Sequence, residues 1–139
     1  MARHRILILC TGNSARSQMA EGWLRLLAPE RFEVFSAGSE PSTVNPLAIA
    51  AMSQRGVDIS GQRSKHLDEF VESEFDYVVT VCDRAAEACP TFLGPARRLH
   101  WSFVDPAAAS GTEAEMAEAF ATVRDEIEAR LRAWLASET

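Results

Sequence analysis

The sequence predicts an α/β fold in which a four-stranded, mostly parallel sheet is flanked by helices. Short apolar or β-branched runs alternate along the chain with segments whose apolar residues recur every three or four positions. This alternation is typical of right-handed βαβ units. The 139 residues, 47% of them hydrophobic types, are enough for one domain with its own core. We therefore expect a single domain over residues 1–139.

The strands are predicted from runs of apolar and β-branched residues. The first run is continuously apolar, as in strands buried on both faces of a parallel sheet, and the third is rich in valine. The four predicted strands cover residues 5–9, 32–36, 75–82 and 97–101. Ligands of such sheets bind beyond the carboxyl ends of the strands, so functional residues are expected just after them.

Three helices are predicted from apolar spacing and from residues that start or stop helices. Met19 and Trp23 recur at helical spacing, and Pro29 ends that segment. Asn45-Pro46 is typical of a helix start, and Gly56 is typical of a helix end. The predicted helices cover residues 17–27, a segment between 45 and 56, and residues 112 to about 136. A helical turn at 68–71 is expected after a polar loop at 59–67.

The charge of the chain argues against nucleic acid and anionic membranes as partners. Lysine and arginine total 14 against 20 acidic residues, which gives a net charge of -6. The apolar run before Cys10 is too short for a signal peptide or a membrane span, so we expect a cytoplasmic protein. Three cysteines in a reducing compartment are more consistent with reactive thiols than with a disulfide framework.

A short loop at residues 10–17 joins the first predicted strand to the first predicted helix. A cysteine and an arginine with five residues between them can wrap backbone N–H groups around a tetrahedral oxyanion. Cys10 would be the nucleophile, held as a thiolate at neutral pH by these amides, Arg16 and Ser17. Gly12 and Asn13 tolerate the positive φ that such a loop needs. The residues expected to bind the oxyanion are Thr11, Gly12, Asn13, Ser14, Ala15 and Arg16.

Arg16 contributes a planar fork that can hold two oxygens at once. The alternative for Cys10 is a small buried core residue, as most cysteines at strand ends are. The position of the loop after a buried strand and before an amphipathic helix favours the nucleophile instead.

Cys82 and Cys89 lie seven residues apart with helix-favouring residues between them. Zinc is disfavoured because the usual short ligand spacing is missing, so neither a metal nor a cofactor is expected. Two inert buried cysteines are one alternative, and a redox pair is the functional one. Seven helical residues rise about 10.5 Å, whereas a disulfide needs Cα atoms within roughly 7 Å. Oxidation would therefore have to unwind a helical segment and expose the new bond.

Asp105-Pro106 follows the last predicted strand. A carboxylate in this loop could act as a general acid toward a leaving oxygen, although Asp-Pro is also a common turn signal. The Cys10 loop, Cys82 and Asp105 all follow predicted strands. We therefore expect them to meet at one rim of the sheet.

The chain resembles the thioredoxin-coupled arsenate reductases built on the low-molecular-weight protein tyrosine phosphatase fold. The resemblance covers nearly the whole sequence, and the cysteine pair is its specific part, because phosphatases of this fold share the loop and the Asp-Pro but lack the pair. The matching segments are residues 10–23, 36–38, 79–82, 89–90, 100–101 and 105–106.

The resemblance implies roles for the residues of the oxyanion site. Cys10 would attack arsenate and Arg16 would hold its oxygens. Ser17 would support the thiolate, and Asp105 would protonate the departing hydroxyl.

The resemblance also implies a relay of thiols. Cys82 would attack Cys10 and release arsenite, and Cys89 would then attack Cys82. The resulting Cys82–Cys89 disulfide would be reduced by thioredoxin. The electron count agrees, because arsenic(V) takes two electrons on becoming arsenic(III) and two thiols supply two on becoming one disulfide.

The sequence departs from the family in two places. Members often carry a further cysteine where this chain has Ala15, which removes a side disulfide and should not impair turnover. Some members bind potassium through residues matching Asn13, Glu21 and Ser36 together with an acidic residue. Lys65 stands where that acid is expected, and we hypothesise that its ammonium replaces the ion.

Two other functions are compatible with the sequence. A phosphatase acting on phosphotyrosine or another phosphomonoester would use Cys10 and Asp105, but it would leave Cys82 and Cys89 unexplained. An oxyanion-responsive redox sensor would use the Cys82–Cys89 switch without turnover. As electron donors, glutaredoxin and a low-molecular-weight thiol are alternatives to thioredoxin.

Overall fold

The computed structural model describes residues 3–82 and 96–138. Within them, four strands form one sheet in the order β2-β1-β3-β4, and every pair is parallel. The strands are β1 His4–Leu9, β2 Phe32–Ala37, β3 Tyr77–Thr80 and β4 Arg97–His100. The parallel sheet predicted from the alternating pattern is confirmed, although β3 is shorter at both ends than the predicted strand at 75–82.

The continuous apolar run became an interior strand of the sheet. β1 pairs with both β2 and β3, and its residues from Ile6 to Leu9 are buried. An interior strand covered on both faces needs apolar side chains on both sides, which explains the absence of alternation. The register sets Leu9 beside Ala37 and Thr80, and Thr80 beside His100. The carboxyl ends of all four strands therefore share one rim.

The three predicted helices are confirmed with small shifts at their ends. They are α1 Arg16–Leu27, α2 Pro46–Ser53 and α3 Glu113–Ser137, and two short 3-10 helices cover Leu67–Phe70 and Pro106–Ala108. The Asn45 side chain accepts a hydrogen bond from the N–H of Leu47, as a helix cap should. Gln54 rather than Gly56 is the residue that caps the end of α2, and Gly56 adopts φ 76° two residues later.

The helices pack against each other and against the sheet through apolar side chains. Met19 of α1 and Phe120 of α3 are fully buried, and the indole of Trp134 in α3 lies 5.3 Å from the ring of Phe32 in β2. Met19, which recurs at helical spacing in the sequence, and Phe120 are therefore packing residues of the core. Among residues 3–82 and 96–138, no helix combines the length and apolar character needed to cross a membrane.

Candidate active site

The loop between β1 and α1 is built around the buried side chain of Asn13. Asn13 has φ 46°, and its amide donates hydrogen bonds to the hydroxyls of Ser17 at 2.8 Å and Ser36 at 3.0 Å. Its Oδ1 accepts the N–H of Lys65 at 2.8 Å. Only Asn13 has the predicted positive φ; Gly12 does not. The side-chain bonds explain why an asparagine can hold this strained conformation.

Gly38 lies against the outside of this loop. A Cβ atom there would approach the carbonyl oxygens of Cys10 and Thr11 more closely than Cβ atoms ever do, and it would lie 3.0 Å from the Asn13 nitrogen. The sequence around Gly38, Ser36-Ala37-Gly38, is typical of a turn after the second predicted strand. The structure shows that residue 38 must be glycine because the backbone of the oxyanion loop, residues 10–17, leaves no room for a Cβ atom. A local sequence pattern does not reveal such a close approach.

Backbone donors that follow β2 hold the carbonyls of the loop. The Thr11 carbonyl accepts the N–H of Glu40 at 2.9 Å, and the Ser14 carbonyl accepts the N–H of Asn45 at 3.0 Å. These two carbonyls are therefore directed at donors outside the loop, which keeps their negative ends away from an oxyanion bound inside it. That arrangement suits a bound oxyanion.

Arg16 and Asp105 come together at the predicted rim. The guanidinium of Arg16 donates to the carbonyl of Phe103 at 3.0 Å, and a second nitrogen lies 3.7 Å from Asp105 Oδ2. The other carboxylate oxygen of Asp105 accepts the N–H of Ala107 at 3.0 Å and caps the 3-10 helix behind it. Asp105 is thus a turn residue and also faces the arginine of the loop.

Cys82 lies against the first residue after Cys10. Its sulfur is 3.4 Å from both the N–H and the hydroxyl of Thr11. Cys10 and Cys82 are both buried, and neither forms a disulfide with the other. A second thiol therefore stands within the oxyanion loop's own hydrogen-bonding network.

The Cys82 thiol also contacts the Cys10 thiol, and this contact changes the pKa expected for Cys10. The adjacent Cys82 thiol, and after it burial, raise the pKa of Cys10 above its ordinary value, whereas Arg16 and the N–H of Gly12 lower it. The prediction of a neutral-pH thiolate is therefore opposed by the Cys82 contact as long as both thiols are reduced. It considered the amides and the arginine but left out Cys82 as a direct neighbour.

Two further sequence predictions concern Ser17 and the segment that contains Cys89. Ser17 is fully buried and accepts a hydrogen bond from Asn13, so any support it gives Cys10 comes through the loop. Cys89 and the proposed helical switch at 83–88 lie outside the described residues.

A buried carboxylate with cations around it lies behind the loop. Glu21 accepts a hydrogen bond from Ser36, pairs with Arg25 at 2.9 Å, and lies 3.9 Å from the ammonium of Lys65. Burial lowers the pKa of Lys65. In the part of the chain that the structure describes, no group of three or more His, Cys, Asp or Glu side chains could hold a metal ion.

A set of polar contacts that the sequence did not predict joins the loop to residues 62–65. Gln18 is fully buried, and its amide donates to the carbonyls of Asn13 and Arg63, each at 3.0 Å. Gln62 donates to Gln18 Oε1 at 2.8 Å, and the Ser64 hydroxyl donates to the Gly12 carbonyl at 3.2 Å. The polar segment at 59–67 was expected to be only a loop, yet it supports the oxyanion loop from behind.

The fold and site geometry agree with comparisons to known proteins. The chain belongs to the low molecular weight phosphotyrosine protein phosphatase family, whose model matches residues 5–138. An arsenate reductase of Halalkalibacterium halodurans is 46% identical over 132 residues, which are 95% of each chain.

Solved structures of arsenate reductases are similar as well. One in its phosphate-binding state superposes with a TM-score of 0.83 at 33% identity, covering 98% of this chain and 99% of that one. A thioredoxin-dependent arsenate reductase of Corynebacterium glutamicum has a TM-score of 0.74 at 29% identity, covering 99% of this chain and 62% of that one. The resemblance inferred from the sequence is thereby confirmed.

Proposed function

We propose that this protein reduces arsenate to arsenite through Cys10, Cys82 and Cys89, and that thioredoxin restores the reduced enzyme. The observation that carries the proposal is the position of the Cys82 sulfur, 3.4 Å from both donors of Thr11. Hydrolysis of a phosphate ester needs one thiol in the loop, whereas reduction needs a second thiol in reach of the first. The arsenate reductases among its relatives support the same reaction.

In the first step, arsenate binds in the loop and Cys10 attacks it. The N–H groups of residues 12–16 and the guanidinium of Arg16 would hold the arsenate oxygens. The Thr11 N–H, which was expected to join them, donates to Cys82 instead. The Cys10 sulfur forms a bond to arsenic, and one hydroxyl leaves as water after taking a proton from Asp105. The contact of 3.7 Å between Arg16 and Asp105 supports this assignment, because it keeps the acid beside the bound oxyanion.

In the second step, the Cys82 thiolate attacks the Cys10 sulfur. A sulfur–sulfur bond forms while the sulfur–arsenic bond breaks, and the electron pair of that bond stays on arsenic, which leaves as arsenite. The hydroxyl and N–H of Thr11 would stabilise the attacking thiolate through the contacts they already make with Cys82.

In the third step, the Cys89 thiolate attacks Cys82, and Cys10 departs as a thiolate. Two electrons have then moved from two thiols to arsenic, and a Cys82–Cys89 disulfide remains for thioredoxin. The role of Cys89 rests on the sequence resemblance. We infer that the reaction takes place in the cytoplasm, where a thioredoxin system keeps thiols reduced.

The family name makes a phosphatase the second candidate. Cys10, Arg16 and Asp105 would suffice for a slow hydrolysis of aryl phosphates. Phosphatase chemistry would not use Cys82, although the Cys82 sulfur contacts Thr11 of the oxyanion loop. We therefore expect phosphatase activity only as a weak side reaction of the same thiol.

The test is an arsenite-release assay with thioredoxin, thioredoxin reductase and NADPH, run beside one with glutaredoxin and glutathione. Cys10→Ser should abolish both arsenate reduction and aryl phosphate hydrolysis. Cys82→Ser and Cys89→Ser should abolish arsenate turnover and spare the hydrolysis. Sustained arsenate turnover by both of the latter variants would overturn the relay. Aryl phosphate hydrolysis by a wild type that releases no arsenite would favour a phosphatase, and turnover of neither substrate would favour a redox sensor.

A further inference from the structure

A groove of about 540 Å³ runs between the Asp105 loop and the first half of α3. Its floor is apolar, and every ionisable side chain along it is acidic: the acidic residues are Asp105, Glu115, Glu118 and Glu126. The apolar lining includes Val104, Pro106, Ala119 and Val123. A complementary partner would therefore present an apolar protrusion next to a lysine or arginine.

Val104 is the most unusual residue of this groove. It is 76% exposed, more than any other large hydrophobic side chain in the part of the chain that the structure describes. The next most exposed, Leu26 and Val71, are 54% and 52% exposed. Val104 extends the apolar lining of the groove, and a contiguous exposed apolar surface that is rimmed by charged side chains is typical of a protein contact.

Backbone contacts connect Val104 to the redox residues. The N–H of Trp101 donates to the Thr80 carbonyl at 2.8 Å, and the N–H of Phe103 donates to the Val81 carbonyl at 3.4 Å. Residues 101–103, which precede Val104, thus run beside residues 80–81, which precede Cys82. The groove is also continuous with the active site, because Asp105 lines the groove and faces Arg16.

We propose that this groove is the docking surface of the protein dithiol that reduces the enzyme. The proposal rests on the proposed function, since it presupposes a Cys82–Cys89 disulfide to be reduced. One thiolate of the reductant attacks a sulfur of that disulfide and forms a mixed disulfide. The second thiol of the reductant then displaces the enzyme sulfur, so the enzyme regains two thiols and the reductant leaves as a disulfide. The groove holds the reductant beside this exchange through Val104 and the carboxylates.

The decisive variant is Val104→Ser, with Val71→Ser as its control. Val71 is a second exposed valine, 52% exposed, and it lies away from the groove, on the segment that leads into the amino end of β3. Reduction of the preformed disulfide is measured with reduced thioredoxin and, separately, with dithiothreitol, which needs no docking surface. Val104→Ser should lower kcat/KM for thioredoxin about tenfold and leave the dithiothreitol rate unchanged. Val71→Ser should match the wild type with both reductants.

A second pair of variants tests the charge of the groove. Glu118→Gln combined with Glu126→Gln removes two carboxylates of the groove, and Glu30→Gln combined with Glu72→Gln removes two exposed carboxylates elsewhere. The first pair should lower kcat/KM for thioredoxin severalfold at low salt and weaken its salt dependence, and the second should not.

Three outcomes would overturn the docking proposal. Val104→Ser could react with thioredoxin like the wild type, or it could slow thioredoxin and dithiothreitol equally, which would indicate a structural effect. The wild type could also sediment as a dimer that Val104→Ser dissociates, which would make the groove a contact between two copies. Failure of the proposed function is separate: the wild type would release no arsenite in a single turnover without any reductant.

Discussion

Replacement of Gly38 by alanine should disable the oxyanion loop without replacing any residue that contacts substrate. The new Cβ would press on the carbonyl oxygens of Cys10 and Thr11 and lie 3.0 Å from the Asn13 nitrogen. These atoms are backbone and cannot turn aside as a side chain could, so the loop must move by roughly half an ångström or more. Overpacking of this kind costs about 1–3 kcal/mol of folding free energy. A displacement approaching 1 Å at a reacting group can lower the rate by about a hundredfold.

We expect Gly38→Ala to unfold at lower urea concentration and to lose arsenate reduction about a hundredfold. Gly61→Ala is the matched control, because a Cβ at Gly61 meets nothing within 4 Å. Urea unfolding followed by tryptophan fluorescence and a single-turnover assay of arsenite release measure the two effects. If Gly38→Ala kept turnover within about threefold of Gly61→Ala, the close approach of β2 to the loop would not be what shapes the site.

Three further variants test single contacts of the site. Thr11→Val keeps the side-chain shape and the N–H but removes the hydroxyl beside Cys82. The steady-state rate of arsenite release should therefore fall about five- to tenfold, whereas the steady-state rate of aryl phosphate hydrolysis should be unchanged. Cys82→Ala removes the main cause of the raised pKa of Cys10, so alkylation of Cys10, followed by mass spectrometry across a pH series, should begin at lower pH; an unshifted profile would contradict the stated cause. The ammonium of Lys65 lies 3.9 Å from Glu21, where it would take the place of a potassium ion. The wild type should therefore be equally active in potassium chloride and sodium chloride at equal ionic strength. Lys65→Asp should become dependent on potassium.

The sequence predicted the sheet because its strands carry strong local signals. The apolar run ending at Leu9 and the valine-rich run ending at Thr80 each indicate a strand without reference to the rest of the chain. The rule that parallel strands place ligands at their carboxyl ends then brought Cys10, Cys82 and Asp105 to one rim. Arg16 and Asp105 are indeed neighbours there, and Cys82 contacts Thr11.

The support of the oxyanion loop could not be predicted in the same way. Asn13 bonds to Lys65, and Gly12 to Ser64, each across a separation of 52 residues. No periodicity or end signal in residues 59–67 indicates such contacts, since they depend on how the chain returns after β2. Gln18 gave no signal in the sequence either, because only the structure shows that its amide is buried and therefore needs partners.

The raised pKa of Cys10 fits the proton balance of the proposed reaction. Attack on arsenic requires a thiolate, while the departing hydroxyl requires a proton before it can leave as water. If Cys10 is protonated beside Cys82, its proton can pass to a negatively charged oxygen of the bound arsenate, which creates the nucleophile, and Asp105 then protonates the departing hydroxyl. Arg16 and the N–H of Gly12, which favour the charged sulfur, lower the cost of that transfer. In the proposed reaction Cys82 would thus act before its own attack, because its contact with Cys10 disfavours the charged sulfur until an oxyanion that can accept the proton enters the loop.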